Sequence, residues 1–247
     1  MTDVTGAAAP ALPGLFARVV GIITAPKAMY EKIVPTPRIL AVLAFCAFVM
    51  GASQAAFLAT ERGQQAYVDF QMQQQEKGMK AFGITRTQEQ MDLGYQQMQK
   101  MAPYQKYLVF VQFFVGLPVI LLIASGIYFV AFNVVMGGTA SYRQVMAVVA
   151  HSSVIGSLGF LFAMAIAFGK GAMSTSPANL GLLLPMLPDG SFLGSFLGAI
   201  DLFRLWEVAV TAIGLGVLYK RSGRNIAITL ISIWFFFVAI YAYFVSR

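Results

Sequence analysis

The chain has 247 residues, 58% of them hydrophobic and only 11% charged, with a mean hydropathy of +0.72. That composition excludes an ordinary soluble domain and leaves room for one membrane-embedded helical bundle, because each crossing helix takes about 20 apolar residues. The 17 Lys and Arg outnumber the 10 Asp and Glu for a net charge of +7, but they sit at the ends of apolar runs and form no basic stripe, which excludes a nucleic-acid surface.

Residues 1–38 hold Arg18, Lys27, Lys32 and Arg38 among several prolines, without the apolar core and small-residue cleavage site of a secretory signal. Within them Leu15, Phe16, Val19, Ile22 and Ile23 fall on one helical face. This predicts an amphipathic helix that either lies on the inner membrane surface or packs beneath the bundle. Thr24 and Pro26 start a second short helix toward Tyr30. The first apolar run, 39–59, is long enough to cross a bilayer as a helix. It holds Cys46, the chain's single cysteine, so a disulfide framework and a thiolate metal site are excluded.

Residues 60–106 are polar by comparison and rich in Gln and Met. Thr87 and Gln90 have capping-box spacing, and Met91, Tyr95, Met98 and Met101 recur at helical intervals. The segment predicts an extramembrane helical hairpin joining the first and second spans, with its tip near 78–83 and a height of about 25–30 Å. With no Cys or His among them, the methionines read as hairpin packing and not as a soft-metal site.

The second run, 108–135, is the longest and contains Gly116 and Pro118, a place for a kink within a single span. A short turn, Met136-Gly137-Gly138-Thr139, reverses the chain, and Ser141 with Gln144 forms a capping box ahead of the third run, 145–168. Residues 171–200 are apolar but broken by Pro177, Pro185 and Pro188, which predicts an interfacial or re-entrant loop. A tandem repeat there places Gly190, Gly194 and Gly198 four residues apart, a helix-packing seam or a pore-lining face. Asp189 is positioned to cap that helix and run it directly into the fourth run, 196–219. The fifth is 226–245. Lys and Arg in the short connections place the N-terminus inside and the C-terminus outside.

The candidate chemistry lies at the head of the fourth run, where Asp201, Arg204 and Glu207 follow at intervals of three. On one helix they sweep a single arc with Arg204 between two acids, and Glu207 stands about 9 Å deeper than Asp201. Charge in a span is costly, so the cluster is either an ion-paired anchor or a polar access site for an ion, headgroup or substrate. Trp206 fits an aromatic belt at the outer boundary. His151, the only histidine, stands in the third run beside Ser152 and Ser153, either as a hydrogen-bonded packing residue or as a proton relay. Asn133 reads as interhelical glue. These five, Asp201, Arg204, Glu207, His151 and Asn133, form the candidate intramembrane polar cluster. Zinc-pair, P-loop and nucleophile-elbow motifs are missing, and with one Asp inside a span no aspartyl dyad can form, so neither catalysis nor a cofactor is expected.

The chain resembles the Yip domain family, small five-span proteins. The matching residues are Pro26 with Tyr30 ahead of the first span, Ser141-Tyr142-Arg143 opening the third, and Asp201, Phe203 and Trp206 followed by Gly214 in the fourth. The resemblance covers about residue 14 to the end, with 60–106 as an added outer hairpin. It implies an all-α integral membrane protein of five transmembrane helices, with a cytoplasmic segment over 1–38 and a membrane domain over 39–247. It further implies an interaction or membrane-organising protein, partnered by lipids, by copies of itself or by other membrane proteins. Eukaryotic relatives bind prenylated Rab GTPases, but their acidic, Leu- and Pro-containing cytoplasmic motif is absent from 1–38, and the likeness is to the prokaryotic branch, in the inner membrane. Gly194, Gly198, Gly190, Trp206 and Gly214 are the expected packing positions. The alternative class is a small-solute or ion transporter working around Glu207. An odd number of spans without an inverted repeat argues against the commonest two-halved carriers.

Overall fold

The computed structural model describes residues 12–246 except 175, 185 and 188–190. Asp189 and Gly190 therefore lie outside the described residues, as do Pro185, Pro188 and Arg247. Two short helices come first, Leu15–Thr24 (α1) and Pro26–Ile33 (α2). Ala25, outside helical geometry, separates them, and Pro26 begins the second at a position where its missing N–H costs nothing. Both pack against the rest of the protein, burying Ile22, Met29, Tyr30 and Ile33, while Phe16 and Val20 of α1 stay exposed.

Leu40–Leu58 (α3) follows, then Glu61–Ala81 (α4), whose first turn is closed by Thr60 accepting from the Gly63 N–H. The Thr87–Gln90 capping box opens Gln88–Phe129 (α5), which runs on into one and a half turns of π-helix, Val130–Val135. At 1.5 Å per residue this continuous stretch is about 70 Å long, more than twice the thickness of a bilayer's hydrocarbon core. Gly137, with φ of +69°, then turns the chain in the left-handed region that a side chain disfavours. The Ser141–Gln144 capping box opens Tyr142–Lys170 (α6). After a 3₁₀ turn at Leu180–Leu183 come Phe192–Gly198 (α7), Leu202–Tyr219 (α8) and Gly223–Val245 (α9). Among the described residues α3, α5 with its π segment, α6, α8 and α9 are long and apolar enough to cross a membrane.

α6 is the axis of the bundle and touches α1, α2, α3, α5 and α8. At one end lie α1, α2 and the two turns that precede α6 and α9, tied by Gln144 donating to the Val34 carbonyl and Arg221 to that of Met136. At the other end Arg62 of α4 donates to the Lys170 carbonyl that closes α6. α5 and α9 form the periphery, with Val115, Val119, Ile120 and Ile123 on one and Phe236, Phe237 and Phe244 on the other turned outward.

The fourth span begins later than expected and is not continuous with the glycine repeat. α7 has seven residues and ends at Gly198; Ala199 and Ile200 leave the helix, and Asp201, extended at φ −106° and ψ 140°, starts α8 anew. The break has a physical cause. The backbones of Asn179 and Asp201 pair as an isolated antiparallel bridge, with the Leu180 N–H donating to the Ile200 carbonyl and that of Leu202 to Ala178. Those bonds occupy groups that a through-going helix would need.

Candidate functional site

Three glycines of the α6–α8 contact make room for the side chains that matter. A Cβ on Gly156 would stand 3.0 Å from Glu207 Oε2, one on Gly159 would stand 2.7 Å from Phe203, and one on Gly214 would meet Val148 at 2.6 Å and the Tyr30 ring at 2.8 Å. Small residues thus bring α6 and α8 together, as helices in lipid require. Glu207 enters this contact nearly buried, and its Oε2 accepts from Arg204 Nη1 at 2.8 Å. The pairing is asymmetric: the Arg204 side chain is 54% exposed and that of Glu207 11%. Arginine thus reaches the boundary while the carboxylate faces protein.

One to two turns toward the other end, Tyr30 from α2 inserts between α6 and α8. It is fully buried, its hydroxyl lying 2.7 Å from Ser152 Oγ and donating to the Val148 carbonyl at 3.2 Å. Burial pushes its phenol up from the usual range, so it stays a neutral hydrogen-bonding group. Ser153 of the same turn of α6 donates to Cys46 of α3 at 3.6 Å. Beside them, His151 Nδ1 lies 2.7 Å from the Ala147 carbonyl, which can only accept, so Nδ1 carries the proton. Its Nε2 lone pair therefore accepts from Arg18 Nη1 at 3.0 Å. His151 is fully buried and Arg18 is 4% exposed, so α1 is held to α6 by a guanidinium on a neutral imidazole.

The five polar candidates do not form one cluster. Arg204 and Glu207 are paired at one end, and His151 belongs to the Arg18 contact. Asn133 is part of a third site at the end of α5, where it donates to the Ala140 carbonyl at 2.6 Å and accepts from the Tyr219 hydroxyl at 2.7 Å. Asp201 makes no ion pair with Arg204. Its carboxylate caps α8 by accepting from the Arg204 backbone N–H at 2.9 Å, and it accepts from the Ser176 hydroxyl. An arc on one helix required Asp201 to be helical, and as the extended residue before the helix it points back into the 176–180 loop instead. The glycine positions also differ in role. Gly194 donates its N–H to Ser191 Oγ in the α7 cap, and Gly198 backs onto Gly181, where a Cβ on the latter would meet the Gly198 backbone at 3.1 Å. Trp206 is 38% exposed, and Phe203 packs beside both it and Phe162.

Arg18, Tyr30, Ser152, Gly156 and Gly159 complete this region and were not among the candidates. Arg18 carried a signal: it lies one turn before Ile22 and so on the same face, where a charge needs a buried partner.

The Yip1 domain family profile matches residues 20–245. The membrane protein YknW of Bacillus subtilis (strain 168) is 25% identical over 226 residues, covering 90% of this chain and 86% of that protein. No solved structure matches. The profile match takes in α2, all five long apolar helices and the residues that close them on one another: Tyr30 in its Gly214 pocket, the Ser141 cap and the Asp201 cap. The chain belongs to the Yip1 domain family.

Proposed function

We propose that this membrane protein is not an enzyme and acts by contact, with other membrane proteins or further copies of itself, and by organising the lipid around it. It is read as lying in the inner membrane of a prokaryotic cell with its N-terminus in the cytoplasm and its C-terminus outside. The observation that carries the reading is that polar groups inside the bundle are closed by other protein groups: Glu207 at the α6–α8 contact by Arg204 of its own helix, Tyr30 by Ser152 of α6, and Asn133 at the end of α5 by Ala140 and Tyr219. The Tyr30 and Asn133 bonds fasten one element to another and the Arg204–Glu207 bond closes a carboxylate within α8, whereas a solute pathway needs such groups turned to an open route. The excess length of α5 and the polar α4 support an extramembrane helical hairpin over 60–106, on the side away from α1 and α2. The cations of α1, α2 and the Lys220–Arg221 turn support a cytoplasmic position for that end.

Three measurements test it. In proteoliposomes the parent and Glu207→Gln should show the same ion and small-solute permeability, and flux that depends on Glu207 would make the protein a transporter. A photoreactive residue at Ile120, on the exposed side of α5, should give one discrete crosslinked product in native membranes; random recovery of abundant proteins counts against a specific contact. Single cysteines at Lys100 and Arg224, probed with an impermeant thiol reagent in intact cells, should label at 100 and not at 224. The reverse pattern would invert the topology.

A further inference from the structure

The last span supplies a depth scale for its neighbours. Between residues 223 and 247 the only charged side chains are Arg224 and Arg247, one toward each end of α9. Both belong at the membrane faces, so the apolar residues between them cross the whole hydrocarbon core. Phe235 lies eleven residues after Arg224 and twelve before Arg247. At 1.5 Å per residue that is about 17 Å from one end and about 18 Å from the other, which sets Phe235 at the middle of a core about 30 Å thick.

α7 packs against α9, and the rings of Phe196 and Phe235 lie 5.8 Å apart. A side chain reaches about one helical turn, roughly 5.4 Å, along the axis from its own Cα, so contact at the midpoint of α9 holds α7 within the core and not above it. Its half of the core is the one away from α1 and α2, because α7 leads into the start of α8 at that end. The 3₁₀ turn Leu180–Leu183 is held to α7 by the close approach of Gly181 to Gly198.

The chemistry of the segment suits that depth. Asp189, outside the described residues, is the only ionisable side chain between Lys170 and Asp201. Leu182, Leu183, Phe192 and Leu193 are between 46% and 73% exposed, and Phe236 and Phe237, next to the α7 contact on α9, are turned outward as well. Backbone that leaves a helix inside a bilayer needs its polar groups bonded. Here the Leu180 N–H donates to the Ile200 carbonyl, that of Leu202 to Ala178, that of Leu184 to Gly181, and that of Leu182 to Asn179 Oδ1.

We propose that the 3₁₀ turn and α7 form a re-entrant element lying among the acyl chains of one leaflet, the one away from α1 and α2, with Leu182, Leu183, Phe192 and Leu193 as its lipid contacts. The protein then takes more room in that leaflet than its five spans alone require. This rests on the reading that the protein organises the lipid around it, and names the element that does so. It is tested on the protein alone in vesicles, where no partner enters, so failure here is distinct from failure of the crosslinking and flux measurements.

The full-length protein is reconstituted into phosphatidylcholine vesicles with a single tryptophan, placed by Phe192→Trp or by Leu183→Trp in a Trp206→Phe, Trp234→Phe background. Bromine on the acyl chains should lower the emission roughly twofold or more, as in a Phe237→Trp control on the outward side of α9. Aqueous acrylamide should quench it far less than it quenches free N-acetyltryptophanamide. If that background does not fold, a nitroxide on Leu193→Cys in Cys46→Ala reads the same depth, through more frequent collision with oxygen than with a water-soluble nickel chelate. Strong acrylamide quenching without a bromine effect, or a nitroxide that meets nickel more often than oxygen, would put the segment in water and overturn the proposal. Emission quenched by neither reagent would also overturn it, since protein, a second copy included, would then cover these side chains.

Discussion

α5 and α6 are both long apolar helices, yet they occupy opposite environments. In α6, 67% of the most apolar stretch is buried inside the protein; in α5 the share is 17%, although α5 is the more apolar of the two. In water that order would be reversed. A bilayer removes the hydrophobic drive for helices to associate, so burial goes to the helix that offers close approach and hydrogen bonds. α6 offers Gly156, Gly159, His151, Ser152, Ser153 and Ser157, whereas α5 gives its long Val, Ile and Phe side to the lipid.

Five substitutions sharpen or break that contrast, each read by equilibrium unfolding in mixed micelles. The largest effect is expected from Arg204→Ala, which leaves the Glu207 carboxylate enclosed against Gly156 with no partner. A loss of about 3 kcal/mol or more follows from stranding a buried charge, and Glu207→Gln should cost less, because Arg204 reaches the boundary on its own. Equal losses in the two variants would remove the asymmetry. Next comes Gly214→Val, which drives a side chain into Val148 and Tyr30 and should cost about 1–3 kcal/mol. Tyr30→Phe keeps the ring and removes a hydroxyl while Ser152 retains its bond to the Val148 carbonyl, so about 1 kcal/mol is expected. Smallest is Ile120→Ala on the outward side of α5, which should stay within about 0.5 kcal/mol. A loss there as large as at Gly214 would mean that α5 is covered by protein and not by lipid.

Much of the architecture was legible because it depends on local chemistry. The apolar runs at 39–59, 145–168 and 226–245 correspond to Leu40–Leu58, Tyr142–Lys170 and Gly223–Val245, and both capping boxes close as their spacing predicts. The candidate site was less so, because its chemistry depends on which helices meet. Arg18 reads as one more basic residue at the foot of a span until α1 is laid against His151. Asp201, three residues before Arg204, reads as a salt-bridge partner, but the same spacing is that of an N-cap to the N3 backbone N–H, and the cap prevailed once Asn179 paired with its backbone. The hydropathy of 196–219 runs smoothly across a break that only a bridge between distant segments creates.

The position of Tyr30 carries a consequence for how the protein is assembled. Its ring is enclosed by Val148 and Ser152 of α6 and by Gly214 of α8, so the socket does not exist until the fourth span has been threaded into the bilayer beside the third. The N-terminal helices leave the ribosome first and dock nearly last. Until then α1 and α2 have no socket to enter, and their docking, which locks α6 to α8 through Tyr30, is the step that tells a finished molecule from a set of inserted helices.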